Sequence, residues 1–370
     1  MGTTPSAPKL NGTHIRKGDT VRLSWRSNCG VYGTWKKDEK VLAHGGRVSI
    51  SHKDFKHFSL EVKDARQEDE GNYTLELSNR KARVSGSAAV TLLEFDTEWR
   101  GLFLAETDEV KKTLEAFKVS NSEVRCLRFL LQGPVGVGKS SIINTINSVF
   151  QGQMVNLTPT DAATGKSHTI AYQAYPIEDA QKKSLPFVFN DIMGLENEKE
   201  SGALIADIIS ALKGRVKDGY KFNASSALTE TDFHYNSAPS LADKVHCLVT
   251  VIHANNIFLF TEEDDAIQKM KQVRKAARDL GVPDVVFMTH VDHCCPLVKK
   301  DLNNIYLSKR IKAAMQRCSD LVGVPMNCIF PVKNYHQETK GDAKTECLIL
   351  HALDKAVKSA DDFVRVKSSN

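Results

Sequence analysis

Long apolar runs are missing from this 370-residue chain. No stretch approaches the ~18 uncharged apolar residues that would cross a bilayer. Met1–Leu10 has no basic region followed by an apolar core, so no secretory signal is expected. The eight cysteines, at 29, 126, 247, 294, 295, 318, 328 and 347, form no CxxC pair, which excludes a zinc ribbon. Without export they are expected to stay reduced, in the cytoplasm. Glycine and proline, 22 and 11 residues, are too few for a collagen-like or low-complexity chain. Excess charge of one sign is also lacking. Residues 8–95 carry 16 Lys/Arg against 11 Asp/Glu, and residues 96–370 carry 34 of each. A nucleic-acid binder concentrates more positive charge than this, so nucleic acid is not an expected partner.

What is present changes character near residue 95. After seven small and polar residues, expected to be disordered, residues 8–94 alternate with period two. Val21, Leu23 and Trp25 do so, as do Leu60 with Val62, and Tyr73 with Leu75 and Leu77. Turn-forming clusters interrupt these runs every 8–12 residues, which predicts an all-β sandwich. Asp69-Glu70-Gly71-Asn72-Tyr73 resembles the tyrosine corner of immunoglobulin domains, and Trp35 stands where such domains place a core tryptophan. The resemblance puts Trp25 and Leu75 at the positions of the usual cross-linking cysteines. It implies an immunoglobulin-like domain held by packing, serving to bind a protein partner or a second copy.

A linker and leading helix are expected over 95–120, with the helix at Glu106–Val119. From 121 to 370 short apolar runs alternate with helical patterns. The runs are Cys126–Leu131, Pro186–Asn190, Val245–His253, Val285–Thr289 and Cys328–Val332. The helical patterns are Lys139–Phe150, Lys199–Leu212, Glu262–Leu280 (capped by Thr261 and stopped by Gly281), Leu302–Cys318 and Glu346–Phe363. This alternation predicts an α/β domain with a parallel sheet.

Gly133-Pro134-Val135-Gly136-Val137-Gly138-Lys139-Ser140 satisfies GxxxxGK[ST], after an apolar run and at the start of a helix. That context predicts a P-loop and hence a P-loop NTPase of GTPase-like type. The backbone N–H groups of such a loop cradle phosphates, joined by those of Val137 and Ser141, and the helix start adds positive potential. Lys139 is expected to reach the β- and γ-phosphates and Ser140 to ligate Mg²⁺.

Asp191-Ile192-Met193-Gly194 ends the second run; Asp191 is expected to serve the metal and the Gly194 N–H the γ-phosphate. Thr289-His290-Val291-Asp292 ends the fourth. It stands in for the [NT]KxD motif, whose carboxylate accepts from guanine N1–H and N2–H₂ while adenine offers no such pair of donors. His290 replaces the lysine and is expected to stack on the base. Lys333 and Asn334 lie in the loop after the last run, expected to touch the base. Thr158, Thr160 and Thr164 compete as the switch threonine that closes on Mg²⁺, with Thr164 preferred because Gly165 follows it. Leu195 then Glu196 follow DxxG, where a hydrolytic small GTPase has a water-positioning Gln. GTP or GDP with Mg²⁺ is therefore the expected ligand, and fast hydrolysis is not expected.

With these motifs, residues 98–370 resemble the interferon-induced protein 44 family. Further marks are Glu98-Trp99-Arg100, Leu130-Leu131-Gln132 ahead of the loop, Val149-Phe150-Gln151-Gly152 and Ala360-Asp361-Asp362-Phe363. The resemblance implies interferon-inducible expression, a cytoplasmic setting and an antiviral or antiproliferative role. Better-known mammalian members carry a TLDc-type domain where this chain carries its β sandwich. Two functions of different class follow: a guanine-nucleotide switch with slow or partner-stimulated hydrolysis, or an interaction scaffold with a structurally bound nucleotide.

Overall fold

The computed structural model describes residues 4–95, 97–102, 104–158, 171–192, 194–195 and 203–367. The chain divides into two compact units, Met1–Arg100 with Leu307–Lys309, and Gly101–Tyr306 with Arg310–Asn370. All eight cysteines are thiols outside any disulfide. Among the described residues no helix is long and apolar enough to cross a membrane.

The first unit contains β1 (Thr13–Ile15), β2 (Val21–Arg26), β3 (Tyr32–Lys37), β4 (Lys40–Val41), β5 (Val48–Lys53), β6 (His57–Val62), β7 (Gly71–Ser78) and β8 (Arg83–Leu92). They form a five-stranded sheet, β1-β8-β7-β3-β4, and a three-stranded sheet, β2-β6-β5. The period-two pattern is visible in β6, where Phe58, Leu60 and Val62 are buried and Ser59 and Glu61 are less so. Trp35 pairs with Leu75 across β3 and β7, and both are buried. Tyr73 Oη donates to the Asp69 carbonyl at 2.9 Å. Asp69 in turn accepts from Arg47 at 2.7 Å and from the Arg66 N–H at 2.8 Å. This is an immunoglobulin-like β domain. At the two positions of the usual cysteines, Leu75 is fully buried, whereas Trp25 only borders the core.

The second unit contains β9 (Leu127–Gln132), β10 (Gln173–Glu178), β11 (Ser184–Asp191), β12 (Cys247–His253), β13 (Asp284–Thr289) and β14 (Ile329–Pro331). Its helices are α1 (Thr107–Glu115), α2 (Lys139–Gln151), α3 (Ile205–Leu212), α4 (Asp265–Asp279), α5 (Val291–Cys294), α6 (Pro296–Lys300), α7 (Lys309–Val322) and α8 (Ala343–Lys367). The sheet order is β10-β11-β9-β12-β13-β14. Alternation within its strands feeds two cores. Phe129, Leu131, Val249 and Val251 join residues of α1, α2 and α8. Leu130 and Leu248 join residues of α3 and α4. Helices thus cover both faces, which is why these strands read as continuous apolar runs.

The sheet is mixed rather than wholly parallel, because β10 pairs antiparallel with β11 at one edge. Gln173–Glu178 buries only Ile177, so it presents no apolar run to a sequence reader. Its Pro176 is tolerated at an edge, beside a register shift. The pattern expected to be one helix over Leu302–Cys318 is a 3-10 turn, Leu302–Tyr306, followed by α7. Asp301 holds that turn, its carboxylate accepting from the Asn303 N–H and its carbonyl from the Asn304 N–H. Thr261 does not cap α4. Asp264 occupies the N-cap position and accepts from the Thr261 N–H and hydroxyl. Of the helix expected over Lys199–Leu212, Ile205–Leu212 forms as α3, Leu204 before it is extended, and 199–202 lie outside the described residues.

Candidate functional site

The loop between β9 and α2 needs glycine at three places. Gly133, Gly136 and Gly138 have φ of 149°, 75° and 90°. Space also excludes side chains: a Cβ on Gly133 would lie 2.2 Å from the Val251 carbonyl oxygen, and one on Gly138 would lie 2.7 Å from Asn334 Nδ2. Gly136 is exposed and open. The first turn of α2 begins at Lys139, so its N–H groups, which lack intrahelical acceptors, border the loop. Lys139 is buried, and its ammonium donates to the carbonyls of Gly133 at 3.1 Å and Pro134 at 2.9 Å. The cation thus lies back across its own loop. Ser141 stands two residues further, its carbonyl accepting from Thr145 Oγ1.

The second segment arrives from β11. Ser140 Oγ donates to Asp191 Oδ2 at 2.7 Å, and Asp191 is buried. Gly194 lies against the loop, where a Cβ would be 2.6 Å from Val135 Cγ2. Leu195 is buried and its N–H donates to the Gly133 carbonyl at 3.0 Å. Glu196, Thr160 and Thr164 lie outside the described residues. Thr158 is described: it is buried, and its hydroxyl donates to the Ser140 carbonyl at 2.9 Å. Asn144 Oδ1 accepts from its N–H at 3.0 Å. Thr158 therefore anchors the chain after α2 to the loop backbone.

The third segment comes from β13. Thr289 Oγ1 donates to the Val137 carbonyl at 2.6 Å. With that proton committed, the 3.0 Å contact between His290 Nδ1 and Thr289 Oγ1 requires His290 to donate, which assigns the Nδ1–H tautomer. His290 is left-handed, with φ 55°, and opens α5. Burial, with His293 nearby, pulls its pKa below the ordinary histidine value. Asp292 is half-buried, with His293 Nε2 3.7 Å away. The fourth segment follows β14: Asn334 Nδ2 donates to the Gly138 carbonyl at 3.1 Å. Lys333 pairs with Glu338 at 2.6 Å. Burial alone would raise the Glu338 carboxyl, but the His336 N–H and Lys333 hold it at about 2.

His253, at the end of β12, has no part in the sequence expectation. Its ring stacks on His290, with centroids 4.1 Å apart and planes at 10°. Its Nδ1 accepts from the Asn255 N–H at 3.1 Å, and burial pushes its pKa down to about 4, so it is neutral at pH 7. One face of His290 is therefore already covered. The only signal for His253 in the sequence is its place at a strand end, opposite Thr289 in register. Three segments distant in sequence thus meet residues 133–140, through four bonds: Ser140–Asp191, Leu195–Gly133, Thr289–Val137 and Asn334–Gly138. Carbonyls receive three of these bonds, while the loop's N–H groups border the same space.

The immunoglobulin I-set domain family model matches residues 8–92. Human "Interferon-induced protein 44" is 35% identical over 254 residues, 68% of this chain and 56% of the human protein. Human "Interferon-induced protein 44-like" is 33% identical over 242 residues, 64% of this chain and 52% of that protein. The chain therefore spans little more than half the length of these relatives. Among solved structures, titin domain M7 is 24% identical, covering 25% of this chain and 96% of that one, with a TM-score of 0.24.

Proposed function

As a relative of the interferon-induced protein 44 proteins over about two thirds of its length, this chain, we propose, binds a guanine nucleotide with Mg²⁺ at the Gly133–Ser140 loop. The observation that carries this reading is the convergence on that loop of Asp191, Thr289 and Asn334, each bonded to it or to Ser140. A purely structural turn has no need of three such segments at one end of a sheet. The donor set suits a triphosphate: three glycines with positive φ, a helix start, a lysine and a Ser/Asp pair.

On this reading the loop is a P-loop and the second unit a GTPase-like P-loop domain. Lys139, now resting on two neutral carbonyls, would turn to phosphate oxygens, a stronger charge-assisted contact. Ser140 and Asp191 would hold Mg²⁺, which when bound neutralises phosphate charge. Thr160 and Thr164 remain the candidates for the switch threonine, since the Thr158 hydroxyl is committed to Ser140. Asp292 would accept from guanine N1–H and N2–H₂, and His290, with one face on His253, would offer its other face to the base. Lys333 and Asn334 would close the base side. The I-set domain is proposed to bind a protein partner, and the whole to act as an interferon-induced antiviral effector in the cytoplasm.

Leu195 favours slow turnover. Buried and bonded to Gly133, it presents no polar side chain to orient water. This supports a second reading, in which nucleotide is a resident ligand and the protein a scaffold. Titration with a fluorescent GTP analogue, with and without Mg²⁺ and in competition with ATP, tests the first claim. Mg²⁺-dependent binding displaced better by GTP than by ATP is expected; no binding, or preference for ATP, refutes it. Single-turnover hydrolysis of bound GTP then separates switch from scaffold.

A further inference from the structure

At the opposite end of the sheet from the loop lies a hollow of about 430 Å³, within the range of small-ligand pockets. It is bounded by the residues that enter β12 and β13 and by the end of α8. The loop lies beyond the other end of these strands; the seven residues of β12 alone span about 20 Å. Val245, Val282 and Phe363 give the hollow apolar walls. Lys213, Arg215, Lys244 and Lys367 supply cations, and none of its eleven lining residues is acidic.

Among the described residues none of these four cations has a carboxylate within 4.0 Å. Arg215 instead donates to the Tyr235 hydroxyl, and the Lys367 ammonium lies 5.8 Å from the Phe363 ring centre. That grouping is unusual here, because residues 96–370 carry equal numbers of basic and acidic residues. Helix dipoles account for part of it. Lys213 follows α3 and Lys367 ends α8, where a cation offsets the terminal carbonyls. Arg215 and Lys244 lie outside any α-helix; Arg215 is held by the Tyr235 hydroxyl and ring, which leaves the placing of Lys244 without such a cause. Four like charges around an apolar wall repel one another, and an anion with an apolar body would relieve both the repulsion and the exposure of that wall.

We propose that this hollow binds an organic anion with an apolar body, an acyl chain bearing a phosphate or carboxylate head. The cations take the head and the Val245, Val282 and Phe363 wall takes the chain. The site is independent of the nucleotide reading, since no residue is shared.

Calorimetric titration of the full chain with dodecyl phosphate, below its micelle concentration, is the test. Saturable binding at one site is expected, with inorganic phosphate and dodecyltrimethylammonium each at least about tenfold weaker, because each supplies only half of the recognition. The Lys213→Glu/Lys244→Glu variant should lose at least about tenfold in affinity at an unchanged melting temperature, and the Lys213→Gln/Lys244→Gln variant should lose less. Equal binding of the cationic amphiphile, or affinity unchanged in both variants, overturns the proposal. So does sedimentation with phosphatidic acid vesicles without binding of free dodecyl phosphate, which would mean surface attraction to a bilayer rather than a site.

Discussion

The two units differ in how the polar groups of their motif segments are partnered. In the immunoglobulin-like unit the Asp69 carboxylate is enclosed by Arg47 and the Arg66 N–H, and its carbonyl takes the Tyr73 hydroxyl. Charge there is consumed in holding a sandwich that has no cross-link. In the α/β unit Gln132, Asn190, Asp191 and Thr289 are buried at or near strand ends, while Arg274 in α4 pairs with Asp284. Gln132 and Asn190 each use one amide hydrogen bond, to Thr250 and Tyr172, while their oxygens have no partner among the described residues. The Lys139 ammonium donates to the carbonyls of Gly133 and Pro134. A buried polar atom that has a protein partner is accounted for by the fold, and one without such a partner calls for a separate explanation.

Four substitutions would break or sharpen this contrast. The largest effect on stability is expected from Asp69→Ala, which leaves the Arg66 N–H without its acceptor and takes one carboxylate from Arg47, whose bonds to Glu68 and to the Lys63 and Asp64 carbonyls remain. Urea denaturation should show a loss of about 2–3 kcal/mol, less than the ~3–5 of a fully buried pair, because Arg47 is partly exposed. A negligible loss would mean that the sandwich is held by packing alone. Lys139→Ala should do the reverse. Nucleotide affinity should fall by at least ~1.5–3 kcal/mol in a fluorescent-nucleotide titration, while stability changes little. If instead the melting temperature collapses, the lysine is structural and the contrast fails.

A pH effect of about 2 kcal/mol is expected from His246. Its Nδ1 accepts from the Arg128 N–H and its Nε2 donates to the Leu241 carbonyl, so both ring nitrogens are engaged in the neutral form. Burial pushes its pKa down to about 4. The unfolded chain takes up this proton near pH ~6.5, and the folded chain does not until pH falls to about 4. Stability is therefore full above pH ~6.5 and declines as pH falls through that window. His253 adds to the decline in the same direction, so His246→Gln should reduce the slope without abolishing it. An unchanged slope in denaturation curves between pH 7 and 4.5 would show that His246 is accessible to protons.

The smallest effect is a change of preference. Asp292→Asn should shift the ratio of GTP to XTP affinity by at least about tenfold, ~1.4 kcal/mol, since xanthine has a carbonyl where guanine has its 2-amino group. Competition binding with GTP, XTP and ATP measures it. A constant ratio would reduce the site to an unspecified nucleotide pocket.

Local chemistry was legible in the residues alone. Alternation at Phe58, Leu60 and Val62 announces a half-buried strand, and glycines before Lys139 announce a loop too tight for side chains, because both patterns arise from backbone geometry within a few residues. The change of grammar near residue 95 also needs no coordinates. What depends on partners far along the chain was decided only by the fold. β10 exists because β11 offers it an edge, not because Gln173–Glu178 favours a strand. Trp25, matched by motif with Leu75, borders a core that Leu75 enters, since burial is set by the opposing sheet. His253 covers His290 because parallel pairing of β12 with β13 puts His253 beside Thr289. The four cations of the second hollow are scattered over more than 150 residues, and only the docking of α3 and α8 near the starts of β12 and β13 brings them together. Short-range sterics are written in the order of residues, whereas the meeting of distant side chains is a property of packing.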